Sequence, residues 1–105
     1  MLGFAMRAGK LVVGTDLTLR AIASGGKGRV ELVLITSDLS EATRKRVINK
    51  CEFYKAELRE LTLSSAELGD LLGKTFAPVT VGVMDEGFAT EIKKAIAALG
   101  DGDKS

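Results

Sequence analysis

Histidine and tryptophan are absent from the chain, and cysteine and proline occur once each, as Cys51 and Pro78. Without histidine the commonest general base and the commonest metal ligand are missing, which excludes Ser-His-Asp triads and histidine-ligated zinc. A single cysteine excludes an intramolecular disulfide framework and a four-thiolate metal site. A single proline excludes proline-rich linkers. Long hydrophobic runs are missing too: the longest run of large apolar residues is Leu32-Val33-Leu34-Ile35, far too short to span a bilayer. The N-terminus shows no charged region followed by an apolar core, so no secretory signal is expected, and the cytoplasm is the expected compartment.

What remains is the balance of a globular protein. The chain has 105 residues, 46% apolar and 28% charged, which suits one domain of ordinary size. There is no internal repeat and no low-complexity segment. The net charge of +1 conceals an asymmetry: residues 1–50 hold nine Lys/Arg against four Asp/Glu, and residues 51–105 hold six against ten. A basic face for an anionic partner and ordinary surface variation both fit that distribution.

Glycines and caps punctuate the chain. Leu2 to Ala8 reads as a short helix stopped by Gly9. Leu11-Val12-Val13 is a short apolar stretch ending at Gly14. Thr15 to Ser24 reads as a helix with Leu17, Ala21 and Ile22 on one face, closed by Gly25-Gly26. Val30 to Thr36 has the unbroken apolar character of a strand buried on both faces. Asp38 and Glu41 have capping-box spacing, opening a helix with Val47, Ile48, Cys51 and Tyr54 on its apolar stripe and Arg44, Lys45, Arg46 and Lys50 on the solvated side. Leu58 to Leu63 reads as a short strand. Ser64 and Glu67 form a second capping box, before a helix with Leu68, Leu71 and Leu72 inward and Gly73 as terminator. Val79 to Met84 is another apolar strand. Asp85 caps a last helix with Phe88, Ile92, Ile96 and Leu99 inward, ending at Gly100. Strands alternating with helices predict an α/β chain folded as a three-layer α/β/α sandwich around a mixed, roughly four-stranded sheet. The expected organisation is one domain over residues 1–100 and a frayed polar tail over 101–105.

Few residues offer catalytic chemistry. Capping accounts for Asp85, and helix termini account for Ser40 and Ser64. Cys51 falls on an apolar stripe, where a buried thiol is structural. The glycine-rich Ser24-Gly25-Gly26-Lys27-Gly28 lacks Walker spacing and follows a helix, so it reads as a solvated turn. An enzyme built on Lys74 and Asp85 would lack an activated base. Binding features are clearer. Gly14 lets a backbone approach a ligand closely, and the helix that begins at Thr15 offers N–H groups to phosphate, with Lys10 and Arg20 flanking it. The loop Gly73-Lys74-Thr75-Phe76-Ala77-Pro78-Val79 sets an aromatic ring beside a cation. That ring either stacks on an unpaired base or tucks into the core.

Four stretches have a familiar look when taken in order. They are Leu2-Gly3-Phe4-Ala5-Met6-Arg7-Ala8-Gly9-Lys10-Leu11-Val12-Val13-Gly14; Val33-Leu34-Ile35-Thr36-Ser37-Asp38-Leu39-Ser40; Glu67-Leu68-Gly69-Asp70-Leu71-Leu72-Gly73-Lys74; and Val81-Gly82-Val83-Met84-Asp85-Glu86-Gly87-Phe88-Ala89. Through them the chain resembles the bacterial branch of the L-seven-Ae / L-thirty-e ribosomal-protein family, whose members bind kink-turn RNA. The likeness extends to small proteins encoded beside translation-factor genes. It implies an α/β/α sandwich without catalytic activity, metal or cofactor. The implied partner is structured RNA, a kink-turn or other internal loop of ribosomal type, with no membrane and no DNA.

The resemblance also implies RNA contacts at the start of the second helix and in the loop before the last strand. The site residues expected on this reading are Lys10, Gly14, Thr15, Asp16, Leu17, Arg20, Lys74, Phe76 and Pro78. Gly14 and Thr15 would set amides against phosphate; Lys10, Arg20 and Lys74 would neutralise charge; Phe76 and Pro78 would cover an extruded base. The family's contact segment is commonly Gly-x-Asn-Glu-x-x-Lys, or a Gly-x-Lys-Gln variant. Here Asp16 stands in place of Asn, Leu17 in place of Glu and Arg20 in place of Lys. An aspartate only accepts hydrogen bonds, here from a guanine edge, and a leucine makes none. A protein-interaction or regulatory module on the same fold is the alternative.

Overall fold

Leu32, Val33, Leu34 and Ile35 are all buried, and their side chains divide between two separate cores. Successive residues of a strand point to opposite faces, so an unbroken apolar run needs cover on both sides. In a computed structural model describing residues 2–24 and 30–104, that cover comes from helices on each face of a four-stranded sheet. The elements run α1 (Leu2–Arg7), β1 (Leu11–Val13), α2 (Thr15–Ser24), β2 (Leu32–Ile35), α3 (Glu41–Tyr54), β3 (Leu58–Glu60), α4 (Ser65–Leu72), β4 (Thr80–Val83) and α5 (Glu86–Lys104). The glycine-rich segment read as a turn lies, over residues 25–29, outside the described residues.

The strand order is β1-β4-β2-β3. The β1–β4 and β4–β2 pairs are antiparallel and β2–β3 is parallel. Leu32 and Leu34 join Val81 and Val83 under α1, α4 and α5, whose contributions include Leu2, Leu68 and Ile92. Val33 and Ile35 face the other way, onto Leu19 and Ile22 of α2 and Val47 and Cys51 of α3. The result is the expected three-layer sandwich on a mixed sheet. Gly82 sets how closely α2 can approach. A Cβ there would lie 3.1 Å from Thr18 Cγ2 and 3.3 Å from Val30, so the missing side chain lets α2 settle on β4.

Several local expectations are met. Gly9 and Gly73 have φ of 70° and 69°, the left-handed region in which a helix stop favours glycine. Ser64 and Glu67 form both bonds of their capping box. Asp85 accepts from Phe88 N–H at 2.9 Å.

Other expectations need correction. The cap of α3 is Ser40, which accepts from Thr43 N–H, and not Asp38. Asp38 instead accepts from the backbone and hydroxyl of Ser65 at 2.9 and 2.8 Å, tying the β2–α3 turn to the start of α4. Leu17 and Leu71, read as inward, are 53% and 51% exposed, and Tyr54 is exposed as well. In α2 the buried face is Thr18, Leu19 and Ile22, because the sheet takes the side of the helix that passes closest to Gly82. The strand after α3 is three residues long and not six. Helix α5 continues through Gly100 to Lys104. A glycine lowers helix stability by about 1 kcal/mol but does not by itself stop a helix. Among the described residues no helix is long and apolar enough to cross a membrane.

Candidate nucleic-acid interface

Gly14 turns the chain from β1 into α2 with φ of 113°, a conformation that side chains other than glycine rarely adopt. Its N–H donates to Thr80 O at 2.9 Å. Next to it, Thr15 Oγ1 donates to Thr80 Oγ1 at 2.8 Å, and Thr80 is fully buried. Thr80 opens β4 and is the residue on which the 73–79 loop lands. Two segments 65 residues apart in sequence are thereby pinned side by side: the start of α2 and the loop before the last strand.

The loop is shaped by α4. Gly73 closes that helix, and Lys74 N–H donates to Gly69 O at 2.9 Å. The chain then crosses back over α4 at Gly69. A Cβ on Gly69 would lie 2.5 Å from the carbonyl oxygen of Phe76 and 3.4 Å from Pro78 Cδ, so this close crossing requires glycine. Pro78 is buried in the crossing, and the ring of Phe76 stands outside it, 53% exposed. Of the two fates open to Phe76, the structure takes the exposed one. The expectation that Pro78 covers a base is corrected, because a proline packed onto Gly69 has no free face to offer.

The first intrahelical bond of α2 runs from Thr18 N–H to Gly14 O at 3.0 Å. The amides of Asp16 and Leu17 precede it, at the end of the helix that carries about half a positive charge. Gly14 is corrected as an amide donor to phosphate, since Thr80 takes its N–H; its role is the turn. Leu17 is exposed on this helix end, as Phe76 is on the loop. Asp16 is exposed and paired with Arg46 of α3. Arg20, one turn further along α2, lines a groove shared with Asp16, Arg46 and Lys50. Lys74 is half-buried at the start of the loop. Lys10 is not part of the cluster. Its carbonyl accepts from Met84 N–H at 2.8 Å, at the far end of the β1–β4 pair, four extended residues or about 13 Å from Gly14.

The sequence reading did not single out Arg46 and Lys50, which border α2, or Gly69 and Thr80, which fix the loop and the helix start side by side. The first two were visible as a basic i, i+4 pair on one face of α3. Nothing in the pattern said that this face borders α2.

Among the described residues the groups considered for catalysis, Cys51, Lys74 and Asp85, lie apart. Burial pushes the Cys51 thiol up to about 11, which leaves it protonated near neutral pH. Lys74 precedes β4 and Asp85 follows it, so the sheet holds them at opposite ends. Among the described residues no group of three or more Cys, Asp or Glu is placed to hold a metal ion. What the arrangement offers is a positive helix end, two cations and an exposed ring. Those groups suit an anionic backbone with a planar base beside it.

A family model for the ribosomal protein L7Ae/L30e/S12e/Gadd45 family matches residues 1–93 of this chain. The RNA-binding protein YlxQ of Bacillus subtilis is 42% identical over 92 residues, 88% of this chain and 87% of that protein. The large ribosomal subunit protein eL30 of Sulfurisphaera tokodaii is 30% identical over 82 residues, 78% of this chain and 74% of that protein. Among solved structures, a Bacillus halodurans protein of unknown function superposes with a TM-score of 0.81 at 31% identity, covering 91% of this chain and 92% of that one.

Proposed function

The chain belongs to the ribosomal protein L7Ae/L30e/S12e/Gadd45 family, and from that premise we propose that it is a non-catalytic RNA-binding protein gripping a kink-turn-like internal loop. The observation that carries this reading is the pinning of the α2 N-terminus to the Phe76 loop through Thr80. A bent internal loop presents tightly spaced phosphates and an unstacked base together. A positive helix end beside an exposed aromatic ring matches that pair of features.

In the proposed complex the amides of Asp16 and Leu17 and the guanidinium of Arg20 take phosphate oxygens. Phe76 stacks on the extruded base. Lys74 adds charge from the loop. Asp16 reads a guanine edge only if its exposed pair with Arg46 opens. The similarity to a protein named as RNA-binding and to a ribosomal-subunit protein supports RNA as the partner, with the ribosome or its assembly, in the cytoplasm, as the proposed setting.

The test is a titration of purified protein against a labelled kink-turn RNA and against the same RNA with its internal loop closed into continuous duplex. The bent RNA should bind tighter. Neutralisation of two phosphates by Arg20 and Lys74 predicts a loss of about tenfold in affinity between about 50 and 200 mM salt. Equal affinity for the two RNAs together with a flat salt response would sink the proposal. A protein that co-purifies in place of RNA would favour the interaction-module reading.

A further inference from the structure

The basic residues of α3 point to different tasks. Arg44 forks onto Glu60 of β3 at 2.7 and 3.3 Å, and its side chain is 25% exposed. It belongs to the fold. Arg46, two positions on, points away from β3 and toward α2, where it pairs with Asp16. Lys50 follows Arg46 by four residues, on the same face of the helix and about 6 Å along its axis. Its ammonium sits 5.8 Å over the centre of the Tyr54 ring, which holds the cation beside the helix.

Arg46 and Lys50 together with Arg20 line a groove between α2 and α3 whose floor includes Leu19 and Ala23. The groove starts at Asp16, in the first turn of α2, where the proposed loop-binding site lies. It reaches Ala23, about 10 Å further along the helix. Three cations therefore face one carboxylate along a channel that continues the first site. The carboxylate does not close it. Side chains of Asp16 and Arg46 are 73% and 57% exposed, and an ion pair that open to water is weak and screened by salt. An incoming phosphate displaces Asp16 from Arg46 and gains a forked, charge-assisted contact.

We propose that this α2–α3 groove is a second phosphate-contact surface, taking the backbone of a duplex RNA stem that continues from the gripped internal loop. The proposal rests on the reading of the first site. Single-stranded nucleic acid is held on aromatic platforms. Among the described residues no aromatic side chain lines this groove; the exposed Tyr54 ring lies outside its lining, with the Lys50 ammonium over one face. Duplex RNA is instead held through phosphates and shape, for which cations spaced along a groove are the fitting chemistry.

The experiment compares two RNAs, one with the internal loop and a full flanking stem and one with that stem trimmed back to the loop. Each is titrated across a range of salt with the parent protein and with the Arg46→Gln, Lys50→Gln double variant. Both substituted side chains lie at the surface, and an unchanged melting temperature confirms the fold. The parent should bind the full-stem RNA about tenfold or more tighter than the trimmed one. The double variant should lose that advantage and bind the trimmed RNA as the parent does. Its salt slope on the full-stem RNA should be shallower by about 1.5, two contacts at about 0.7–0.9 each. Equal losses on both RNAs, or no loss on the full stem, overturn the groove while leaving the loop site standing. A parent protein that binds neither RNA overturns the loop site and the groove with it.

Discussion

Phe76 keeps its ring in water because the backbone on either side of it is fixed. Its carbonyl lies against Gly69, and Pro78 fills the space beneath, so the side chain has no route inward. Phe76→Ala should lower RNA affinity by roughly 1–3 kcal/mol, the worth of stacking on one base. It should shift folding stability by no more than about 0.5 kcal/mol, as exposed positions do. Parallel binding and thermal-melting measurements separate the two, and a large drop in melting temperature with intact affinity would return the ring to the core. Asp16 is the other telling residue. Asp16→Asn removes a carboxylate from a phosphate-binding end and releases Arg46, so RNA affinity should rise severalfold at low salt, with the gain fading as salt is added. A weaker complex from a folded variant would make Asp16 a base-reading group. Neither residue's surroundings were legible from the chain alone: a phenylalanine in a loop reads equally as core or as display, and the partner of Asp16 lies 30 residues away.

At the scale of elements, α4 and the loop after it work as a unit. The stretch from Ser64 to Gly73 holds a capping box (Ser64 and Glu67), a crossing point (Gly69) and a left-handed stop (Gly73) within ten residues. Gly69→Ala isolates the crossing. In a free helix the change would stabilise by about 1 kcal/mol. Here the added carbon meets a backbone oxygen at 2.5 Å, and overpacking of that kind costs about 1–3 kcal/mol. A net loss of about 1 kcal/mol is expected in a denaturant titration, with weaker RNA binding as the Phe76 loop is pushed away. A variant more stable than the parent would show that the loop yields freely. Periodicity placed α4 correctly but turned Leu71 inward, and it did the same to Leu17 in α2. A stripe of apolar residues on a short helix spans more of the surface than one sheet can cover, and the packing partner chooses which part to bury.

For the whole molecule, three acidic groups stitch separate layers together. The Thr36 side chain beside it and hydrogen bonds from the Ser65 hydroxyl and N–H hold the Asp38 carboxyl below its ordinary 3.8. Lys93 of α5 does the same to Glu57, and Arg44 of α3 to Glu60, each below the ordinary 4.5. A carboxyl with a lowered folded value binds its proton less readily than in the unfolded chain. Its contribution is therefore complete above the ordinary value and is lost as pH falls through the folded one. With no histidine to titrate near neutrality, the urea midpoint should stay level from about pH 7.5 to about 5.5 and fall below about 4.5. A midpoint that falls between pH 7 and 6 would contradict this. The acidic link at Asp38 also shows where a chain pattern stops being informative. Capping-box spacing assigned Asp38 to α3, but the turn delivers it to α4, a pairing visible only once β2 and α4 are neighbours. The alternation of apolar strands with capped helices was enough to specify the layers and the four strands, because burial and backbone termini are local demands that each residue states for itself. The strand order, the exposure of Phe76, the distance of Lys10 from Gly14 and the meeting of Arg46 with Asp16 came only from the tertiary structure. Each depends on which surfaces are brought together across the sheet, and a side chain carries no record of its distant neighbours.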